Sequence, residues 1–460
     1  MKTLKFRTTV SLIFFLQVAV FAQNGFEHRG YLGWMIDLSR TECLDSWPSI
    51  KLDSAMIVDY AETLDFLQRS GMNEITLWGL FTNKYWEPEV EKTIDSNRKT
   101  LIDKVIRMAH QRKIKVILGM GVYSWGFDKI LQEHPELGCS CNAHVLDISN
   151  PKSWEWQKKV FDYTIDNFDF DGISMQSADL GRCNCGEPAK MTDLEYHAAI
   201  NQKAAKYIRS KKPHYLIGIS GWGMNFGNQA DLKSIQKMTK DIDYLIDVEE
   251  TSLKEGRKYR QELIKAIAPC RFGNTAVPNV EPIQRLPRNT YFVPTLFHTS
   301  QNLKNLFADG GLACETYVRT RGNPADKVTV EVLAKILSNP EMDTYKALME
   351  VIHEIYQPTD QAALSELAAI FQEAENVFFL NSRKIGMNDF SKEIFLLIPR
   401  DGKGTDDNYL KAMDSFSRSN YLTSMGNLSE RVARVKNKIG NQKEISLISD
   451  CLENVLKQIE

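Results

Sequence analysis

The 460-residue chain carries no excess of charge of either sign: 57 Lys and Arg stand against 59 Asp and Glu, a formal net charge of -2. That balance gives nothing to draw nucleic acid or an anionic membrane surface toward it. Beyond the N-terminal segment no run is apolar enough to span a bilayer. Internal repeats and low-complexity tracts are absent. No glycine-rich phosphate fingerprint follows the first β-prone run, which weighs against a dinucleotide-binding doubly wound sheet. The histidines lack ligand spacing: His134, His144 and His298 each stand alone near a strand end and read as hydrogen-bonding rim residues, with His298 a further candidate for substrate contact.

What is present begins with a targeting pattern. Lys2, Lys5 and Arg7 precede an apolar stretch from Val10 to Phe21, and Ala22 supplies a small residue at a cleavage point. Residues 1–22 therefore read as a signal peptide and the mature chain as exported, periplasmic or extracellular. No cysteine lies near the cleavage point to carry a lipid anchor.

From about residue 30 the chain alternates β-prone runs with helical ones. "YLGWMID" (31–37), "EITLWG" (74–79), "KVILGMGVYSWG" (115–126), "DGISMQ" (171–176), "YLIGISGWG" (215–223) and "DYLIDVEE" (243–250) read as six strands. A seventh lies in "RFGNTAV" (271–277) or "YFVPTLF" (291–297), and "GGLACETYVR" (310–319) fits an eighth. Helices fall between them. Ser54 can cap one that Gly71 ends, and Asn150 with Pro151 opens another. Eight such units over 23–324 predict a (β/α)8 TIM barrel, and the amphipathic runs of 325–460 predict a helical C-terminal region.

In such a barrel the reacting groups lie at the C-terminal ends of the strands. Three of those ends carry Trp-Gly: Trp78, Trp125 and Trp222. An indole offers a flat apolar face and an N–H donor, which suits the C–H face of a sugar ring; the alternative use is to plug the rim. Acids gather at the same ends: Asp37, Asp179, Asp247, Glu249, Glu250 and Glu315. Glycosidic cleavage usually needs two carboxyl groups, a proton donor and a nucleophile or base. Asp179 is the expected general acid, Glu249 the leading second carboxylate and Glu315 the reserve. Gln176, Arg182, Arg319 and Asp37 complete the expected substrate-facing set, and the arginines could instead pair with rim acids.

Two loops carry paired cysteines, Cys139 with Cys141 after the third strand and Cys183 with Cys185 after the fourth. Neighbouring strands bring these loops together. Four thiols could form disulfides, which export permits, or a structural zinc site, although zinc pairs are usually spaced more widely than one intervening residue. Either bond would stiffen the loops beside Asp179. The reaction itself requires no cofactor.

"HVLDISNPKSWEWQKKVFDYTIDNFDFDGISMQSAD" (144–179) resembles the middle of exported (β/α)8 glycoside hydrolases of the β-N-acetylhexosaminidase and α-glucuronidase kind. There an LD-x-x-NP stretch leads into a helix and an FDGI strand ends in acids; "KILSNPEMDTYKALMEVIHEIY" (335–356) resembles the helical segment after their barrel. The resemblance implies an exported glycoside hydrolase acting on an oligo- or polysaccharide. Hexosaminidases of this type carry adjacent Asp and Glu after strand four, and here Ala178 precedes Asp179. Ala178 cannot orient an acetamido group, and an acidic sugar fits the arginine-bearing rim better. The other functions this fold would serve are a non-catalytic carbohydrate-binding barrel and a sugar-acting lyase.

Overall fold

The computed structural model describes residues 25–34, 54–78, 85–227, 231–248, 260–268, 270–276, 292–317, 323–384 and 414–457. Its strands, in chain order, are β1 (His28–Trp34), β2 (Glu74–Trp78), β3 (Lys115–Gly121), β4 (Gly138–Cys139), β5 (Asn142–Leu146), β6 (Gly172–Gln176), β7 (Leu216–Ser220), β8 (Tyr244–Ile246), β9 (Arg271–Ala276) and β10 (Ala313–Tyr317). Eight of these close a barrel in the order β1-β10-β9-β8-β7-β6-β3-β2, every pairing between neighbours parallel. The remaining two, β4 and β5, form an antiparallel hairpin between the third and fourth barrel strands. The barrel is the one expected. The seventh strand is "RFGNTA", and residues 292–295 of the rival run lead instead into a helix.

Helices α1 (Ser54–Ser70), α2 (Ser96–Gln111), α3 (Asp128–Glu133), α4 (Pro151–Asn167), α5 (Asp193–Lys211), α6 (Leu232–Met238), α7 (Gln261–Ile267), α8 (Leu296–Ala308) and α9 (Pro324–Ser338) accompany the strands. Their starts follow local chemistry. Asn150 accepts from the Lys152 N–H while Pro151, which has no N–H to satisfy, takes the first turn of α4. Thr192 and Glu195 form a reciprocal capping box on α5, and Asn323 caps α9 with Pro324 behind it. Apolar helix faces are turned inward; in α4 that face is Val160, Phe161 and Ile165. Among the described residues four more helices follow: α10 (Thr344–Tyr356), α11 (Gln361–Lys384), α12 (Ser415–Val435) and α13 (Gln442–Lys457).

The helical region is joined to the barrel by polar contacts as well as apolar ones. Lys327 on α9 reaches Glu444 on α13 at 2.7 Å, with both side chains mostly buried. Glu375 on α11 accepts from the main-chain N–H groups of Phe297 and His298 at 3.0 and 2.7 Å, so a buried carboxyl from the C-terminal region caps a barrel helix. The first turn of a helix leaves such donors unpaired, and the carboxyl oxygens satisfy them.

At the N-terminal end of the barrel two aspartates tie strands to helices. Asp171, within the "FDFDGI" run, accepts from the Val116 N–H at 2.7 Å and contacts His110 Nε2 at 2.9 Å. Asp243 accepts from the Ile217 N–H and from Arg209, both at 2.8 Å. These acids lie at the end of the barrel that serves stability rather than chemistry.

The barrel interior is unusually polar. Barrels of this kind are commonly filled by layers of Val, Ile and Leu; here buried His28, Glu74, Thr76, Ser174, Tyr244 and Glu315 are among the fillers. Glycines make room for the large ones. A Cβ on Gly119 would stand 2.1 Å from the Trp78 ring, and one on Gly218 would stand 2.3 Å from the Tyr244 ring. Tyr244 in turn packs on His28, ring centroids 4.8 Å apart, and His28 Nδ1 lies 3.2 Å from Glu74.

Candidate active site

At the C-terminal mouth a polar chain crosses four consecutive strands. Gln176, ending β6, points its amide at the Ser220 hydroxyl 3.5 Å away at the end of β7. Ser220 donates to Asp247 Oδ2 at 3.3 Å, and Asp247 Oδ1 accepts from the Thr275 N–H on β9 at 2.9 Å. Asp247 follows β8 directly and has φ of 61°, in the left-handed region. A non-glycine residue held there is strained, and such strain gathers where a side chain must be aimed. The carboxyl consequently turns inward across the mouth, with the residue only 9% exposed.

Glu315, the middle residue of β10, faces the same interior and is 3% exposed. Its Oε1 accepts from the Thr76 hydroxyl at 2.7 Å. Burial pushes its carboxyl up to about 8; the Thr76 hydrogen bond pulls the other way, and the negative charges of Asp247 and Glu74 add to the rise. A carboxyl so placed stays protonated at neutral pH. That is the condition a general acid must meet.

Asp179 lies on the opposite side. Its strand, β6, and the strand of Glu315, β10, are separated by β7, β8 and β9 in the closed order of eight, so they face each other across the barrel. Asp179 is exposed on the loop after β6. The start of that loop is held firmly. Ser177 Oγ accepts from Asn201 Nδ2 at 2.8 Å and lies 3.0 Å from His197 Nδ1, while His197 Nε2 lies 3.5 Å from Asp193. Ser177 and His197 are both 1% exposed, and this buried array holds the start of the loop in place.

The three tryptophans part company. Trp78 is 4% exposed and meets Trp125 edge-on, centroids 5.4 Å apart, above Leu32. The chain leaving β3 doubles back to bring Trp125 there: Tyr123 and Trp125 have φ of 59° and 54°, and a Cβ on Gly121 would stand 1.9 Å from the Ser124 carbonyl. Only glycine admits that approach. Trp222, after β7, is 38% exposed and presents an open indole at the rim.

Arg182 donates to the carbonyls of Thr192 and Met191 at 2.8 and 2.9 Å and to Asn184 Oδ1 at 2.5 Å. Its guanidinium organises its own loop. His298 lies in the first turn of α8 with its N–H taken by Glu375, whose carboxyl burial pushes up to about 8 against the pull of the main-chain donors. Asp37, Glu249 and Arg319 lie outside the described residues. Asp247, Thr76, Ser220 and the His197 array carry no motif in the sequence. Asp247 alone had a signal, as an acid at a strand end.

The sulfur atoms of Cys139, Cys141, Cys183 and Cys185 all lie within 4.8 Å of one another. Successive distances are 3.1 Å between Cys141 and Cys139, 3.2 Å between Cys139 and Cys185 and 3.0 Å between Cys185 and Cys183. These exceed the ~2.05 Å of a disulfide, and all four thiols are free. No helix among the described residues is long and apolar enough to cross a membrane.

No family model matches the sequence, and no curated protein matches it in sequence. Solved structures do share its architecture. A mutant of the O-GlcNAc hydrolase of Thermobaculum terrenum superposes with a TM-score of 0.52 at 12% identity, over 94% of this chain and 83% of that one. A GH138 enzyme targeting pectin rhamnogalacturonan II superposes with a TM-score of 0.63 at 10% identity, over 95% of this chain; the chain spans 57% of that enzyme's length. The protein CpGH84B gives 0.51 at 12% identity, over 94% and 67% of the two chains. The fold of this protein is the (β/α)8 fold of these glycoside hydrolases.

Proposed function

We propose that the protein is a glycoside hydrolase that cleaves an oligo- or polysaccharide with two carboxyl groups carried by opposite strands of the barrel, Glu315 inside it and Asp179 at its rim. The observation that carries the reading is Glu315: a buried, hydrogen-bonded carboxyl, protonated at neutral pH, placed across the barrel from Asp179. Glu315 fits the proton donor. Asp179, exposed to water at the rim, fits the second carboxylate, as base or nucleophile. This exchanges the order expected from the sequence, because the burial that a donor requires is found at Glu315. Asp247, fixed by Ser220 and Thr275, stands ready to stabilise positive charge developing on the sugar ring. Trp222 offers the stacking face, and Trp78 packs on Trp125 at the ends of β2 and β3.

The substrate class we favour is a glycan with an acidic sugar. Ala178, 6% exposed against Gly223, leaves no group to orient an acetamide, and Arg319 follows Glu315 four residues on in the sequence. Export to the periplasm or the cell exterior belongs to the same reading and rests on the basic and apolar N-terminal pattern. The test is a screen of the purified protein against aryl glycosides and oligosaccharides, uronides and N-acetyl sugars included, with product detection. Release from one class, lost in both Glu315→Gln and Asp179→Asn while the circular dichroism spectrum is unchanged, is the expected result. Full turnover in either variant removes that residue from the mechanism. Glycan binding with no product from a folded protein replaces hydrolysis by a binding function, and an unsaturated product absorbing in the ultraviolet replaces it by a lyase.

A further inference from the structure

Outside the mouth, the densest cluster of reactive side chains is the cysteine quartet. Cys139 ends β4 and Cys141 lies in the tight turn to β5. Cys183 and Cys185 come from the loop after β6, which reverses at Gly181 and Gly186, with φ of 77° and 59°. Two segments more than forty residues apart in sequence thus aim all four sulfurs at one point.

We infer that Cys139, Cys141, Cys183 and Cys185 bind a single zinc-class divalent ion as a four-thiolate site that clamps the β4–β5 hairpin to the loop carrying Asp179. Three features of the geometry support this. The first is uniform spacing. The three successive sulfur distances agree within 0.2 Å, whereas a pair of disulfides would divide the sulfurs into two close couples. Zinc–sulfur bonds of ~2.3 Å in a tetrahedron put the sulfurs roughly 3.8 Å apart, between the three successive distances and the 4.8 Å within which all four sulfurs lie. The compactness leaves room for one ion and none for a polynuclear core.

The second is graded burial. Cys139 and Cys183 are 4% and 0% exposed and form the inner wall, while Cys185 is half-buried and Cys141 exposed. An ion can enter from the solvent side and be held from the protein side. The third is the surrounding hydrogen bonding. The Asn184 N–H donates to Cys141 Sγ at 3.1 Å, crossing from one segment to the other, and Asn142 Nδ2 donates to the Leu180 carbonyl at 2.9 Å. An N–H directed at sulfur favours thiolate, the form that binds metal. Binding to the folded site alone would stabilise the fold by mass action.

This inference stands whether or not the barrel hydrolyses glycosides, and its test reads metal rather than turnover. The full chain, purified from zinc-supplemented medium under reducing conditions, is dialysed against a weak chelator and its metal content measured by mass spectrometry. About one zinc per chain is expected. Cys141→Ser, at an exposed position, should lose most of it; Cys141→His, which restores a fourth ligand, should keep it; Cys270→Ser, outside the quartet, should be unaffected. Cobalt chloride titrated into metal-stripped wild type should give the intense visible bands of tetrahedral thiolate coordination, saturating at one equivalent, a readout that needs no variant to fold. A chain that takes up neither ion while its four thiols react freely overturns the inference. So does peptide mapping that finds these cysteines joined as disulfides.

Discussion

Replacing Glu315 with Gln should make the protein less sensitive to rising pH, and the size of the effect follows from where the carboxyl sits. In the unfolded chain this group titrates at about its ordinary 4.5, and in the folded barrel burial holds the proton on until about 8. Between those values the folded state binds more protons, so raising the pH favours unfolding. The stability this group contributes is complete below about 4.5 and fades as the pH climbs toward 8. From pH 5 to pH 7 the change is roughly two pH units at ~1.4 kcal/mol each, about 3 kcal/mol. Gln keeps an oxygen to accept the Thr76 hydroxyl but has no proton to lose. Urea unfolding followed by tryptophan fluorescence at pH 5 and pH 7 measures the effect. The wild type should lose about 3 kcal/mol more than Glu315→Gln over that interval. Glu375, also raised to about 8, does the same in both proteins and cancels. Equal losses in the two proteins would refute the account of a buried, protonated Glu315, and with it the assignment of that residue as acid.

The pH dependence of turnover provides a second check: kcat should fall on the alkaline side as Glu315 loses its proton, and a profile flat to pH 9 would contradict its role. Trp222→Ala, at a site 38% exposed, should raise KM for an oligosaccharide by about tenfold, the loss of ~1.4 kcal/mol of stacking, with the urea midpoint unchanged. Trp78→Ala should instead destabilise the fold by about 3–5 kcal/mol, since that ring fills the space over Gly119, and calorimetry would show it as a lowered Tm. Gly218→Ala should cost about 1–3 kcal/mol or more by overpacking against Tyr244, and recovery in the double variant Gly218→Ala with Tyr244→Phe would argue that the clash lies elsewhere than at the ring itself, because a Cβ there meets ring carbons as well as the hydroxyl.

The barrel was legible because its signals are local. The cap at Asn150 with Pro151 behind it and apolar runs of strand length each act within a few residues. The β4–β5 hairpin was not, since β4 has two residues and no alternating pattern to read. The site was legible in part. Strand-end acids and tryptophans mark the rim, but whether a side chain is buried depends on register around the closed sheet. Trp78 and Trp222 share the same dipeptide and differ about tenfold in exposure, 4% against 38%. Along "DYLIDVEE" strict alternation predicts that Asp247 keeps to one face of the strand, yet regular strand ends at Ile246 and the left-handed turn at Asp247 redirects the carboxyl across the mouth. That turn is set by partners on β7 and β9, which no local window contains. The acid-bearing "FDGI" run shows the converse: Asp171 has the look of a functional residue and ties strand to helix at the far end.

The seat that Glu375 takes at the head of α8 bears on how the chain can be cut. In barrels of this architecture the helix following the seventh strand opens toward the substrate side, and its bare amides are a natural receptor for an anion. Here the receptor is filled from within, by a residue nearly sixty positions beyond β10. A truncation that ends after the eighth β/α unit would thus uncover a positive, unsatisfied helix end beside the mouth. Such a fragment, if it folded, would acquire an affinity for phosphate, sulfate or the carboxylate of an acidic glycan that the intact protein has surrendered to its own side chain.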